Sequence, residues 1–375
     1  MVIRHIENTV KKRMADEKAI VIMGPRQSGK TTMVRNIVRN SGKEFLWFNG
    51  DDADTRDVFS KPTTTRLKSL IGKKKILVID EAQRIENIGL CIKIIVDTIK
   101  TVKVIATGSS SFDLANKVNE PLTGRKWEFQ LLPLSIAEMS EHHNFLEEKR
   151  LLERRLIYGY YPDIVNHPGD ETERLQLLSD SFLYKDILMW ERILKPEKLE
   201  RLVQSLALQL GNQVNFTELG RQCGLDNETA EKYVNLLEKA FVIYRLPAFG
   251  RNLRTELKKS RKIYFYDNGL RNAVIKQFGT IPLRNDIGAL WENFLVGERK
   301  KWMFNTGKFA NTYFWRTLNQ EEIDYIEDKN GKLSAFEFKW NPKRKVKFPK
   351  NFLRTYPGSE TEVISPENFE EFVGV

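Results

Sequence analysis

Ala19-Ile20-Val21-Ile22-Met23-Gly24-Pro25-Arg26-Gln27-Ser28-Gly29-Lys30-Thr31 is the stretch that decides the fold. Its apolar opening shows no alternation, so it reads as a strand buried on both faces. The strand breaks into a glycine-containing turn, and a helix is expected over residues 30–39. The turn matches G-x-x-x-x-G-K-[ST] in full, from Gly24 to Thr31. Gly24 and Gly29 let the backbone curl until successive N–H groups point at one anion. The following helix adds its positive N-terminal end. Lys30 reaches the β- and γ-phosphates as a point charge, and the Thr31 hydroxyl ligates Mg²⁺. ATP with Mg²⁺ is the implied ligand. Gly24, Pro25, Arg26, Gln27, Ser28, Gly29, Lys30, Thr31 and Thr32 are the expected binding residues.

Working outward, residues 45–48, 75–79, 102–106 and 127–131 read as further strands. Ile88, Cys91, Ile92, Ile95 and Ile99 have the spacing of a helix's apolar face. Strand–helix alternation of this kind predicts an α/β fold, with a parallel sheet covered on both faces. Ligands bind at the carboxyl ends of such strands, and the strand Ile76-Leu77-Val78-Ile79 ends in Asp80-Glu81. Asp80 is placed to hold Mg²⁺, and Glu81 to orient and polarise an attacking water. The alternative is a pair of solvated loop acids. Residues 102–106 run into Thr107-Gly108-Ser109-Ser110-Ser111, where a hydroxyl such as that of Ser109 meets the γ-phosphate or the water. A plain serine-rich turn is the alternative there. Arg125 is a candidate transition-state arginine, because phosphoryl transfer is mainly charge stabilisation; a surface arginine is the other reading.

A net charge of +11 favours polyanionic partners. Cys91 and Cys223 fall in different expected domains, which argues against a disulfide framework or a thiolate zinc site. His5, His142, His143 and His167 show no metal-ligand spacing, and His142-His143 reads as a solvated loop or helix end. No run approaches the ~18 apolar residues of a membrane span. The charged N-terminus lacks a signal-peptide core, so a cytoplasmic protein without membrane contact is expected.

Gly24–Thr32, Asp80-Glu81-Ala82-Gln83, Thr107-Gly108-Ser109-Ser110, Leu122-Thr123-Gly124-Arg125 and Leu132-Pro133-Leu134-Ser135 occur in this order. The series resembles a large group of bacterial and archaeal AAA+ ATPases. Their C-terminal domain of unknown function looks like a winged helix plus a restriction-endonuclease-like fold. The resemblance continues through Tyr264-Phe265-Tyr266-Asp267-Asn268-Gly269-Leu270, Trp291-Glu292-Asn293 and Phe314-Trp315-Arg316 to Phe336-Glu337-Phe338-Lys339. Two positions depart from the group's pattern. Gly159-Tyr160-Tyr161-Pro162 has a tyrosine for a second glycine, and Asp267-Asn268-Gly269-Leu270 has asparagine for threonine.

The expected organisation is a P-loop ATPase core over residues 1–150, a helical linker over 151–198, a winged-helix-like segment over 199–252 and a restriction-endonuclease-like α/β domain over 253–375. In the third segment, residues 217–225 read as a short helix and glycine turn. Ala230, Tyr233, Val234, Leu237 and Phe241 form the stripe of a second helix, and residues 242–247 a wing strand. That second helix mixes Lys232 and Lys239 with Glu228, Glu231 and Glu238, so its face neither strongly attracts nor repels phosphates. In the last segment, strands are expected at 263–266, 312–315, 323–326 and 334–338, with a helix at 289–301. A polar turn, Asp328-Lys329-Asn330-Gly331, joins two of the strands. Period-2 geometry puts Glu337 and Lys339 on one face and Phe336 and Phe338 on the other. Asp324, Glu337 and Lys339 then form a D…ExK arrangement. Asp324 and Glu337 would hold Mg²⁺ and Lys339 would help activate water or stabilise the pentavalent phosphate, with Glu292 in reach. Solvated charges on an amphipathic hairpin are the alternative. Basic clusters at Lys258, Lys259, Arg261, Lys262 and at Lys343, Arg344, Lys345, Lys347, Lys350 suit a phosphate backbone or a solvated face.

The expected activity is ATP hydrolysis coupled to movement of a nucleic-acid-handling C-terminal part. An ATP-regulated Mg²⁺-dependent nuclease and a nucleotide switch for a protein partner are the alternatives. Partners besides ATP are DNA or RNA, a protein, or further copies of the chain.

Overall fold

The computed structural model describes residues 2–109, 122–181, 196–250, 261–317 and 319–375. Ser110, Ser111, Lys258 and Lys259 lie outside them. The chain divides into two compact units, Met1–Pro133 with Lys239–Phe241 and Leu134–Glu238 with Val242–Val375. Residues 134–150, expected with the phosphate-binding core, belong to the second.

The first unit holds the sheet that the sequence predicts. Its strands are β1 (Ala19–Met23), β2 (Phe45–Asn49), β3 (Ile76–Asp80), β4 (Lys103–Gly108) and β5 (Lys126–Gln130). All pair in parallel, in the order β2-β3-β4-β1-β5. The three central strands are buried at every position, as their unalternating apolar sequences require, while β2 and β5 form the partly exposed edges. Two helices, α1 (Ile6–Lys12) and α2 (Lys30–Asn40), contribute to the core. Met33, Val34, Ile37 and Val38 of α2 recur at helical spacing and pack with Ile20, Ile22, Ile76, Val78 and Ile105. Fully burying each large aliphatic side chain contributes roughly 1.5–3 kcal/mol. The helix α3 (Ile88–Thr98) buries Cys91, Ile92 and Ile95, and ends one residue short of Ile99. Because β4 lies between β1 and β3, its carboxyl end stands between the glycine turn and the two acids.

The second unit begins with short helices and continues into α4 (Pro196–Leu208), β6 (Gln213–Val214), α5 (Phe216–Cys223), α6 (Asn227–Lys239), β7 (Ile243–Leu246) and β8 (Arg261–Phe265). The Asn215 side chain starts α5 by accepting from Thr217 N at 2.9 Å and Glu218 N at 3.3 Å, and left-handed Gly224 ends it. The three strands form an antiparallel sheet in the order β6-β8-β7. The border expected near residue 252 therefore falls between two paired strands. Next come α7 (Asn268–Val274) and α8 (Ile287–Thr306), then β9 (Asn311–Arg316), β10 (Glu322–Lys329), β11 (Lys332–Phe338) and β12 (Glu360–Ile364). Their sheet order is β12-β11-β10-β9, with only β11 and β12 parallel. Trp315, Ile323, Ile326, Ala335 and Phe352 form a core cluster here.

Both departures from the family-like pattern sit in a buried polar junction of this unit. Gly159 has φ 71°, and a methyl group on it would lie 2.0 Å from Asp267 Oδ1, so glycine is required at this approach. Asp267 accepts from Tyr160 N at 2.7 Å and from Leu270 N at 3.0 Å, where it caps α7. Tyr160 is buried and its hydroxyl donates to Glu148 Oε1 at 2.8 Å. Asn268 donates to Leu290 O at 3.0 Å. His143 is likewise no bystander: its Nε2 lies 2.7 Å from the fully buried carboxylate of Glu148.

Candidate functional site

The glycine turn leaves β1 at Met23, whose carbonyl accepts from Leu131 N at 2.7 Å. A methyl group on Gly24 would stand 2.1 Å from Leu131 O, so only glycine lets the loop pass so close to the end of β5. Gln27 (φ 57°) and Gly29 (φ 93°) turn the chain left-handed into α2. Lys30 is buried, and its ammonium folds over the loop to donate to Gly24 O at 2.9 Å and Pro25 O at 2.7 Å. The Ser28 hydroxyl is buried with no hydrogen-bond partner. Arg26 is half-buried and Thr32 exposed.

The acids arrive as β3 ends. Asp80 is buried; its Oδ1 accepts from Thr31 Oγ1 at 3.3 Å and from Thr107 Oγ1. Thr107, the penultimate residue of β4, also accepts from Glu81 N at 3.3 Å. Glu81 itself is left-handed (φ 49°), which marks the break from strand into a tight turn. Gln83 Nε2 donates to Glu81 Oε2 at 2.5 Å and to Ser109 Oγ at 2.9 Å. Lys30, Thr31, Asp80, Glu81 and Ser109 are thus gathered at one edge of the sheet, three of them joined through Thr107, one of the hydroxyls expected at this strand end, and through Gln83, to which sequence reasoning gave no role. Both lie inside quoted motifs, but nothing in a linear motif says that one side chain will bridge two others.

Arg4 was also missed. It is buried; its Nη1 donates to Ser28 O at 2.7 Å, and its Nη2 to Leu132 O at 2.7 Å and Pro133 O at 3.4 Å. One guanidinium therefore ties the glycine turn to the segment that follows β5. A lone arginine near the start of the sequence carries no signal of this.

Arg125 is a correction. It immediately precedes β5, which runs parallel to β1, so it stands at the strand-entry edge, opposite the phosphate loop. Its backbone carbonyl accepts from Ala19 N at 2.9 Å, and its side chain pairs with Asp97 Oδ1 at 2.7 Å. It is not a transition-state arginine for the phosphate loop of its own chain.

The second group of acids is built differently. Phe336 and Phe338 are buried beside Tyr325 and Phe372, which leaves Glu337 and Lys339 on the other face, as period-2 geometry predicts. Lys339 Nζ lies 2.7 Å from Glu337 Oε2 and 3.3 Å from Asp324 Oδ2. Asp324 Oδ2 also accepts from Phe338 N at 2.9 Å. Glu292 of α8 accepts from Lys262 Nζ at 2.9 Å and Tyr264 Oη at 2.6 Å. Asp324 and Glu337, expected to hold Mg²⁺, face ammonium groups instead. Among the described residues no group of three or more His, Cys, Asp or Glu converges on a metal position.

Burial, with the Asp324 charge added, pushes the Glu337 carboxyl up from 4.5 to about 7. Burial also raises Glu292, against the pull of Lys262. For Lys339, burial opposes the charged form, but Asp324 and Glu337 outweigh it and the ammonium is held more firmly. A carboxyl whose folded pKa lies above its unfolded value takes up a proton on folding. The Glu337 contribution to stability is therefore fully present below pH 4.5 and lost as pH rises through about 7. Glu337→Gln should flatten the pH dependence of stability across that window by roughly 2–3 kcal/mol, read by urea unfolding at pH 5 and pH 8. An unchanged slope would show that Glu337 titrates normally.

Comparison with known proteins agrees on the first unit. Residues 16–140 match the model of an AAA domain. Residues 149–280 and 287–369 match two domains of unknown function, DUF8612 and DUF4143. An uncharacterized protein of Mycobacterium tuberculosis is 26% identical over 350 residues, covering 90% of this chain and 74% of its own length. One from Haemophilus influenzae is 26% identical over 333 residues, covering 82% and 79%. The solved structure of a Walker-type ATPase of Pyrococcus abyssi superposes with a TM-score of 0.51 at 14% identity, over 73% of this chain and 96% of that one. The match over residues 16–140 and the geometry of the glycine turn make this part of the chain an AAA-type domain with a P-loop ATPase fold.

Proposed function

We propose that the first unit binds ATP with Mg²⁺ and hydrolyses it, and that the second unit is the part driven by the nucleotide. The observation that carries this reading is the convergence of Thr31 and Thr107 on Asp80 Oδ1, beside a buried Lys30. A buried ammonium that donates to two loop carbonyls, and an unpartnered Ser28 hydroxyl, fit a bound polyanion. Mg²⁺ would sit against Thr31 and Asp80 and supply charge neutralisation of the transferring phosphoryl group. Lys30 exchanges its loop carbonyls for phosphate oxygens. Glu81 holds and polarises the attacking water. Gln83 joins Glu81 to Ser109, so occupancy at the γ-phosphate position is read at the water-orienting carboxylate. Arg4, shared by Ser28 O and the Leu132 and Pro133 carbonyls, supports a route from the loop to the segment leading out of the domain.

Two readings of the driven part have support. The +11 net charge, and a helix pair followed by two paired strands as in a winged helix, favour nucleic acid. The ion pairs Arg245–Glu238 at 3.4 Å and Arg261–Glu231 at 3.7 Å neutralise that face and favour a protein partner. ATP turnover of the full chain, measured with and without single- and double-stranded DNA at two salt concentrations, separates them. Stimulation that falls steeply with salt supports nucleic acid. Turnover indifferent to nucleic acid supports a protein partner, and no turnover at all overturns the ATPase reading.

A further inference from the structure

In the second unit, Lys262 of β8 is buried to 1% exposure in the middle of carboxylates. Its Nζ lies 2.9 Å from Glu292 Oε1, 2.6 Å from Glu322 Oε1 and 4.0 Å from Asp324 Oδ1. These carboxylates, supplied by α8 and β10, are the hard oxygen type that divalent cations prefer, yet as they stand they converge on an ammonium and not on a metal position. In this chain a nitrogen holds the centre. The remaining charges are also matched: Arg316 lies 3.3 Å from Glu322, and Lys339 serves Asp324 and Glu337. Every acid of the group already has a cation.

A divalent ion would meet two obstacles. Mg²⁺ requires oxygens at about 2.1 Å in near-octahedral order, and here the Glu292 and Glu322 oxygens are hydrogen-bonded to an ammonium that would first have to leave, with Asp324 Oδ1 4.0 Å from it. Stripping a buried ammonium of its acids is strongly unfavourable, and at 1% exposure Lys262 has no solvent to move into. The residues present therefore do not fit the metal that a D…ExK nuclease centre needs, and no metal-dependent cleavage is derived from Asp324, Glu337 and Lys339.

We propose that Lys262 is a resident cation that closes this cluster to divalent metals, and that Lys262→Met uncovers a divalent-cation site made by Glu292, Glu322 and Asp324. The lysine ties β8, α8 and β10 together by the same electrostatics a structural metal would use, without the metal.

The test is Mn²⁺ titration of the full, nucleotide-free chain, with free Mn²⁺ followed by electron paramagnetic resonance. Wild-type protein is expected to take up no Mn²⁺ at this cluster up to about 1 mM, the weak end of carboxylate sites. Lys262→Met, shown folded by circular dichroism, is expected to bind Mn²⁺ saturably, and adding Asp324→Asn should remove that binding. Wild-type uptake abolished by Asp324→Asn would overturn the proposal, as would a folded Lys262→Met that binds none. Wild-type uptake that Asp80→Asn abolishes and Asp324→Asn leaves alone belongs to the phosphate site, and leaves the Lys262 cluster closed as proposed. If Lys262→Met does not fold, the wild-type arm decides: uptake sensitive to Asp324→Asn refutes the closed cluster, and its absence upholds it.

Discussion

Lys30→Ala should lower ATP affinity by about 100-fold or more, because a charge-assisted bond in a partly dry site contributes roughly 1.5–3 kcal/mol and a full charge is lost with it. The residue is suited to this large effect by its placement. Its ammonium is buried at the start of α2, 2.9 Å and 2.7 Å from the Gly24 and Pro25 carbonyls, so it is already ordered over the position of the anion. Little conformational entropy is then lost when phosphate oxygens replace those carbonyls. Calorimetric titration with Mg·ATP checks the prediction. A variant that keeps wild-type affinity while folded would remove the phosphate-site reading altogether.

Glu81→Gln should behave in the opposite way, binding ATP normally while losing turnover by about 10²–10⁴-fold, the usual worth of a positioned general base. The substitution preserves shape, and the new amide oxygen can still accept from Gln83 Nε2. What disappears is the negative charge that polarises water, while Asp80, Thr31 and Thr107 keep their mutual contacts. Phosphate release under saturating ATP, set beside a binding isotherm, separates the two effects. Normal turnover would assign the water-orienting role elsewhere. Reduced binding with proportionate loss of turnover would mean that Glu81 holds nucleotide and does not orient water.

The two predictions differ because Lys30 and Glu81 come from different strands' ends. Lys30 belongs to the glycine loop, so under the proposed function it acts on the ground state. Glu81 follows β3, two strands away across β4, and reaches the site only because the sheet order interposes Thr107 and Ser109 between them. The parallel direction of the strands also bears on Arg125. The need for a positive group at the transferring phosphate suggested it, but a parallel strand carries its entry residue to the edge of the sheet opposite its own chain's phosphate loop.

Much of this was legible in one dimension. Strand β1, the turn from Gly24 to Thr31, α2 and the acidic end of β3 each depend on local rules: apolar runs for doubly buried strands, helical spacing for an amphipathic helix, and a fixed spacing of glycine, lysine and hydroxyl for an anion loop. The alternation on β11 was likewise readable, since period-2 side-chain geometry needs only the backbone. Elements with weak local patterns escaped. β6 has two residues, and β12 reads Glu-Thr-Glu-Val-Ile, polar enough to pass for a loop until it pairs with β11.

By itself the sequence announced the glycine loop and the strand–helix alternation of a parallel α/β core, because both are patterns among residues close along the chain, while the pairing of the strands is long-range. Only the tertiary structure decided that Arg4 clamps the loop, that Gln83 couples Glu81 to Ser109, and that Lys262 sits among Glu292, Glu322 and Asp324. These are pairings across tens or more than a hundred residues of chain, or depend on which way a tight turn points a side chain. Electrostatic energy depends on distance in space, and no spacing along a sequence states that distance.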